Sequence, residues 1–129
     1  MSTDFLDAIP VLPYRDIRAA HDFLVEVIGL QSAGLIEHEG QVIHGEVRAG
    51  ARRFWLHESG SALTSPDVAG VRTGGVVLHV ADVDAHFQRV RSAGGTILRE
   101  PTDEDYGQRE YGVEDPEGHA WYIATPTSP

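Results

Sequence analysis

Tyr106-Gly107-Gln108-Arg109-Glu110-Tyr111-Gly112-Val113-Glu114-Asp115-Pro116-Glu117-Gly118-His119-Ala120-Trp121-Tyr122-Ile123 is the stretch from which the fold is read. It predicts a strand, a tight Asp-Pro-Glu-Gly turn and a second strand ending in aromatics. Pro116 brings a fixed φ to the second turn position, and Gly118 supplies the permissive backbone that reverses the chain.

Working outward, the same kinds of element occur twice. An apolar run over Ile9 to Leu12 predicts a strand, and Pro10 and Pro13, which remove ladder donors, place it at an edge or a module junction. Asp16 is an N-cap for a helix whose Ile17, Ala20, Phe23, Leu24, Val27 and Ile28 share one face, with Gly29 as its stop. Short strands are expected near Ala33 to Glu37, Val42 to Arg48 and Arg53 to His57, punctuated by Gly40 and Gly50. Residues 59–73, rich in Gly, Ser, Pro and Thr, read as a linker. The plan then repeats: a strand over Gly75 to Val80, and a helix capped by Asp82 with Val83, Phe87 and Val90 on one face, ended by Gly94 and Gly95. Strands near Thr96 to Arg99, Arg109 to Val113 and Ala120 to Ala124 complete it. Two βαβββ units are visible from element order.

Composition narrows the function. A chain of 129 residues suits one domain with a real core. It has no apolar run near the roughly 18 residues a membrane helix needs and no charged-then-apolar leader, so a cytoplasmic protein with no membrane partner is expected. The absence of cysteine excludes disulfides, thiolate metal sites and a Cys nucleophile. The net charge of −10 argues against nucleic acid; an acidic surface either steers cationic small molecules or serves solubility alone. All ten basic residues are Arg, which removes Schiff-base and lysine general-base chemistry.

Three segments together carry a family resemblance. Ile9-Pro10-Val11-Leu12-Pro13-Tyr14-Arg15-Asp16-Ile17, with Asp22-Phe23-Leu24 and Ile28-Gly29-Leu30, resembles the opening of bleomycin-resistance proteins. Leu78-His79-Val80-Ala81-Asp82-Val83-Asp84-Ala85 resembles the start of a second module, and the closing hairpin completes the match. The chain thus resembles the vicinal oxygen chelate superfamily, which holds glyoxalase I, extradiol dioxygenases and bleomycin-resistance proteins. The resemblance implies an α+β fold: two tandem βαβββ modules, about 5–58 and about 74–126, paired into a curled mixed sheet that forms a cup. It also implies a homodimer.

Metal-dependent members of that superfamily place one ligand on each of four strands. Carried over, those positions fall on Ile9, Trp55, Gly75 and Tyr122, none of which offers the imidazole or carboxylate donor that divalent metals need. No cofactor is therefore expected. Trp55 and Tyr122 are expected inside the cup, the alternative being that either fills core between sheet and helix; strand alternation adds His57 and Ala124, with Gly75, Val77 and His79 as one wall. Tyr106, on an acidic loop over Thr102 to Gly107, and Arg109 just after it are expected at its mouth, either as ligand contacts or as a solvated loop with Arg109 paired to Glu110 or Asp105. The implied function is metal-independent sequestration of an aromatic, cation-compatible antibiotic or natural product by Trp55, His57, His79, Tyr106, Arg109 and Tyr122. The alternative is a glyoxalase-, lyase- or dioxygenase-type enzyme with a divalent metal on displaced ligands, His44, Glu46, His57 and His79. His21 and His86 are expected at solvent or helix edges, His119 in a turn-stabilising hydrogen bond, and Trp121 in the core.

Overall fold

The computed structural model describes residues 3–127. Strand β1 (Val11–Tyr14) leads into helix α1 (Ile17–Phe23), extended by a π-helical turn at Leu24–Ile28. Strands β2 (Gln31–His38), β3 (Gln41–Ala49) and β4 (Arg52–Glu58) follow, then a short helix α2 (Pro66–Ala69). The second half repeats the plan as β5 (Gly75–His79), α3 (Val83–Ser92), β6 (Thr96–Glu104), β7 (Gln108–Glu114) and β8 (Ala120–Pro126). Two four-stranded mixed sheets result, in the orders β1-β4-β3-β2 and β5-β8-β7-β6. In each, the first strand runs parallel to the last and lies at an edge.

Local chemistry accounts for most boundaries. The Asp16 carboxylate accepts from Ala19 N–H at 3.0 Å, and that of Asp82 accepts from Ala85 N–H at 3.1 Å, so both helices start at side-chain caps. The first helix leaves α geometry at Leu24, whose carbonyl accepts from Gly29 N–H at 3.0 Å, five residues on. Gly29, at φ +94°, then ends it in the left-handed region.

Several expectations are corrected. The first strand begins at Val11, two residues late, and runs to Tyr14, because Tyr14 is drawn fully into the core. The acidic loop at Thr102 to Gly107 is mostly strand: Thr102 pairs with Glu110 and Glu104 with Gln108, leaving a turn only at Asp105–Gly107. Pro101 is tolerated there because β6 is an edge strand with shifted register around it. His21 is buried, bonded to Ser32 Oγ at 2.7 Å and Asp22 at 2.9 Å. His86 is half-buried and bridges the halves: Nε2 donates to the Ile28 carbonyl at 2.8 Å, so Nδ1 accepts from the Tyr111 hydroxyl at 2.6 Å. Burial lowers the His86 pKa, which keeps the ring neutral in that role.

Residues 59–73 are packed rather than free. Ser65 is fully buried, Asp67 N–H donates to the Glu117 carbonyl at 3.1 Å, and Arg72 Nε donates to the Gly118 carbonyl at 2.8 Å. The Asp-Pro-Glu-Gly turn is thus a docking element as well as a reversal. Its Asp115 carboxylate accepts from Tyr14 Oη at 2.5 Å, Trp121 Nε1 at 3.0 Å, and the Glu117 and His119 amides at 3.0 and 3.1 Å. Glu117 accepts from the amides of Arg15 and Asp16 at 2.8 and 2.9 Å. His119 Nε2 donates to the Pro13 carbonyl at 2.9 Å, a hydrogen bond to the opposite module rather than within the turn.

The helix-bearing faces of both sheets share a single core. Leu24, Val47 and Leu56 from the first half join Tyr111, Val113, Trp121 and Ile123 from the second. Phe54 on β4 meets Trp121 on β8 edge-on, ring centroids 5.7 Å apart. The other face of each sheet is turned away from this core.

Candidate functional site

Strand alternation fixes what those outer faces carry. On β4, Phe54 and Leu56 point into the core, so Trp55 and His57 point outward. Cross-strand register sets Glu46 beside Trp55 and His44 beside His57. The Trp55 ring stacks on His57 at 6.0 Å with an interplanar angle of 11°, and His44 lies edge-on to both, at 5.4 and 5.0 Å. The Trp55 indole donates to Glu46 Oε1 at 2.9 Å, while Arg48 Nε donates to Oε2 at 2.8 Å. These two hydrogen bonds hold the Glu46 carboxyl below its usual range. Desolvation lowers the His44 pKa, the neighbouring His57 adds to that, and Glu46 opposes it. Val11, opposite Trp55, and Ile36, opposite His44, leave exposed apolar surface on the same face.

The outer face of the second sheet has a different floor. Tyr122 sits between two glycines: a Cβ added at Gly75 would meet its Cε2 at 3.1 Å, and one at Gly112 would meet its Cε1 at 3.2 Å. The ring therefore rests on bare backbone on either side. Gly112→Val puts a branched side chain where that ring lies. The expected result is a loss of about 1–3 kcal/mol in urea unfolding, from overpacking; an unchanged midpoint would mean the ring moves aside freely. Alternation places His79 and Val77 beside Tyr122, with Ala124 along β8. His79 Nε2 donates to Gln108 Oε1 at 3.0 Å, and Gln108 Nε2 donates to Glu110 Oε1 at 2.6 Å. Tyr106 Oη reaches the same carboxylate at 3.2 Å from both oxygens.

The expected residues are thus split. Trp55 and His57 lie on one outer face; His79, Tyr106 and Tyr122 lie on the other. Arg109 lies on neither: it shares the helix-bearing side of β7 with Tyr111, where Asp84 at 3.0 Å and Asp103 at 3.3 Å hold its guanidinium. Those contacts raise its pKa. The first-strand neighbour of Trp55 is Val11.

Within one chain the displaced ligand set is divided between the two sheets. His44, Glu46 and His57 are on the first sheet, whereas His79 is on the second and borders a cleft of about 490 Å³ with Arg52 and Phe54. Arg52 lies five residues along β4 from His57, roughly 17 Å of strand. Among the described residues no three His, Asp or Glu side chains are placed to hold a metal ion. A further cleft of about 440 Å³ lies between β1, β5 and the connecting segment, lined by Pro10, Leu12, Leu63, Val71, Val76 and His119 among others. Glu110 and Gln108 were missed from sequence, although alternation from Gly112 puts both on the Tyr122 face.

The model of the Glyoxalase/Bleomycin resistance protein/Dioxygenase superfamily matches residues 8–123. A Mycobacterium bovis relative, the uncharacterized protein Mb0911c, is 31% identical over 124 residues, covering 91% of this chain and 81% of that protein. Among solved structures, TioX from Micromonospora sp. ML1 superposes with a TM-score of 0.74 at 29% identity, over 96% of this chain and 98% of that one. TnmS3, an antibiotic binding protein from Streptomyces sp. CB03234, gives 0.79 at 19% identity, over 98% and 99%, a likeness of fold.

Proposed function

The chain belongs to the Glyoxalase/Bleomycin resistance protein/Dioxygenase superfamily, and on that premise we propose that it is a metal-independent small-molecule binding protein of the bleomycin-resistance type. It captures an aromatic antibiotic or natural product by stacking, and its net charge of −10 favours cationic ones. The observation that carries this reading is the pair of outward aromatics, Trp55 and Tyr122, standing where the superfamily's metal donors would project. The antibiotic-binding description of TnmS3 supports the same class of ligand. Because the two aromatics occupy outer faces of different sheets, a ligand held between them needs a second copy of the chain, and we take the working unit to be a homodimer. No described helix is long and apolar enough to cross a membrane; a cytoplasmic location is part of the proposal.

The test is thermal unfolding of chelator-stripped protein. A ligand that binds only the folded state at 100 times its Kd adds about 2.7 kcal/mol of stability. Planar aromatic antibiotics are expected to raise the melting temperature saturably; Ni²⁺, Zn²⁺, Mn²⁺ and Fe²⁺ are expected not to. A saturable metal shift lost on replacing His57 or His79 would overturn the reading in favour of a metal-dependent enzyme.

A further inference from the structure

Among the described residues, the Tyr122 face contains a buried carboxylate with no ion-pair partner. Glu110 is 9% exposed, yet among the described residues its side-chain hydrogen-bond donors are only the Gln108 amide and the single Tyr106 hydroxyl, shared between both oxygens. It forms no ion pair among the described residues. The other buried carboxylates are better matched. Asp115 accepts four hydrogen bonds, and Glu117 accepts two backbone amides with Arg15 Nε at 3.4 Å. An ionised carboxylate offers about four acceptor positions, and burying it without a counter-charge is costly. Its own strand neighbour Arg109 points to the opposite side of the sheet, committed to Asp84 and Asp103.

The surroundings suit an incoming cation. Glu110 is two residues along β7 from Gly112, on which the Tyr122 ring rests, a separation of about 7 Å along the strand. The Tyr106 ring is 66% exposed on the adjoining turn. Desolvation first, then Glu110 and Glu104, raise its pKa, so it stays a protonated donor. Arg99, cross-strand from Gly112, is paired with Glu104 at 2.5 Å, and Glu110 has no ion-pair partner among the described residues.

We propose that Glu110, with Gln108 and Tyr106, is the anchor for a cationic nitrogen on a planar ligand that stacks on Tyr122. The ligand class is a fused aromatic bearing an ammonium or amidinium-type group. The assignment rests on the stacking function proposed above and adds the residue that selects charge.

Fluorescence titration of the full chain with two planar probes tests it: 9-aminoacridine, cationic at neutral pH, and acridone, neutral and of similar shape. Glu110→Gln should weaken 9-aminoacridine about tenfold or more and leave acridone unchanged. The same variant without ligand should melt no lower than the parent, since it removes a buried charge with no counter-ion. Equal binding of both probes by the parent, or an intact preference in Glu110→Gln, overturns the anchor while stacking stands. Loss of both probes with a lowered melting temperature makes Glu110 structural and overturns it too. If neither probe binds the parent, the stacking function itself fails and the anchor falls with it.

Discussion

Replacing Asp115 by Ala is expected to destabilise the chain by about 3–5 kcal/mol, a large share of the roughly 5–15 kcal/mol a domain of this kind has. The carboxylate is 4% exposed and holds two buried side-chain donors, the Tyr14 hydroxyl and the Trp121 indole, along with two amides of its own turn. Without it each orphaned donor costs about 1–3 kcal/mol, since water does not reach them. Burial, followed by the charges of Asp115 and Glu117, pushes the Tyr14 phenol well above its usual pKa, so Tyr14 cannot escape by ionising. Tyr14 belongs to the first module and Trp121 to the second, so the loss also loosens the contact between modules. Urea unfolding followed by circular dichroism reads the effect. Asp115→Asn, which keeps the shape but loses an acceptor, should fall between parent and Ala. A change below about 1 kcal/mol for Ala would show that the turn does not clamp the modules.

Trp55→Ala should have the largest effect on binding: a loss of about 10- to 100-fold for a planar aromatic ligand, the range of a buried aromatic anchor. Its stability penalty should be much smaller than that of Asp115→Ala, because Trp55 stands on an outer face, half-buried, and not in the shared core. The indole also donates to Glu46 and lies 6.0 Å from the Arg53 guanidinium, so its removal leaves a carboxylate with Arg48 still beside it rather than an orphan. Isothermal titration against the best antibiotic from the thermal screen, with the melting temperature measured in parallel, separates the two effects. A folded variant with parental affinity would remove Trp55 from the site.

Much of the architecture was legible because it is local. Asp16 and Asp82 cap helices through hydrogen bonds to backbone three residues away, and Gly29 and Gly94 end them in conformations glycine tolerates. The period of a strand put Trp55 with His57, and Tyr122 with Ala124, on common faces without knowledge of any neighbour. The same rule would have exposed Arg109 as belonging with Tyr111, on the helix side. The expectation instead followed its place near the acidic turn.

What the sequence alone determined is therefore the set of elements, their order in two modules, and the partition of each strand into two faces. These depend on interactions within a few residues, which the chain spells out directly. The tertiary structure decided which face meets what. Asp115 finds Tyr14 across 101 positions, and Arg109 finds Asp84 across 25. Glu110 is buried among Gln108 and Tyr106 by the folding back of β6 onto β7, and the aromatic faces turn away from a core shared through Phe54 and Trp121. Such contacts arise from shape and charge matching between distant segments, once the hydrophobic core has fixed how the modules pack. That packing, more than any single motif, makes the Asp-Pro-Glu-Gly turn a clamp and buries a strand glutamate on the Tyr122 face.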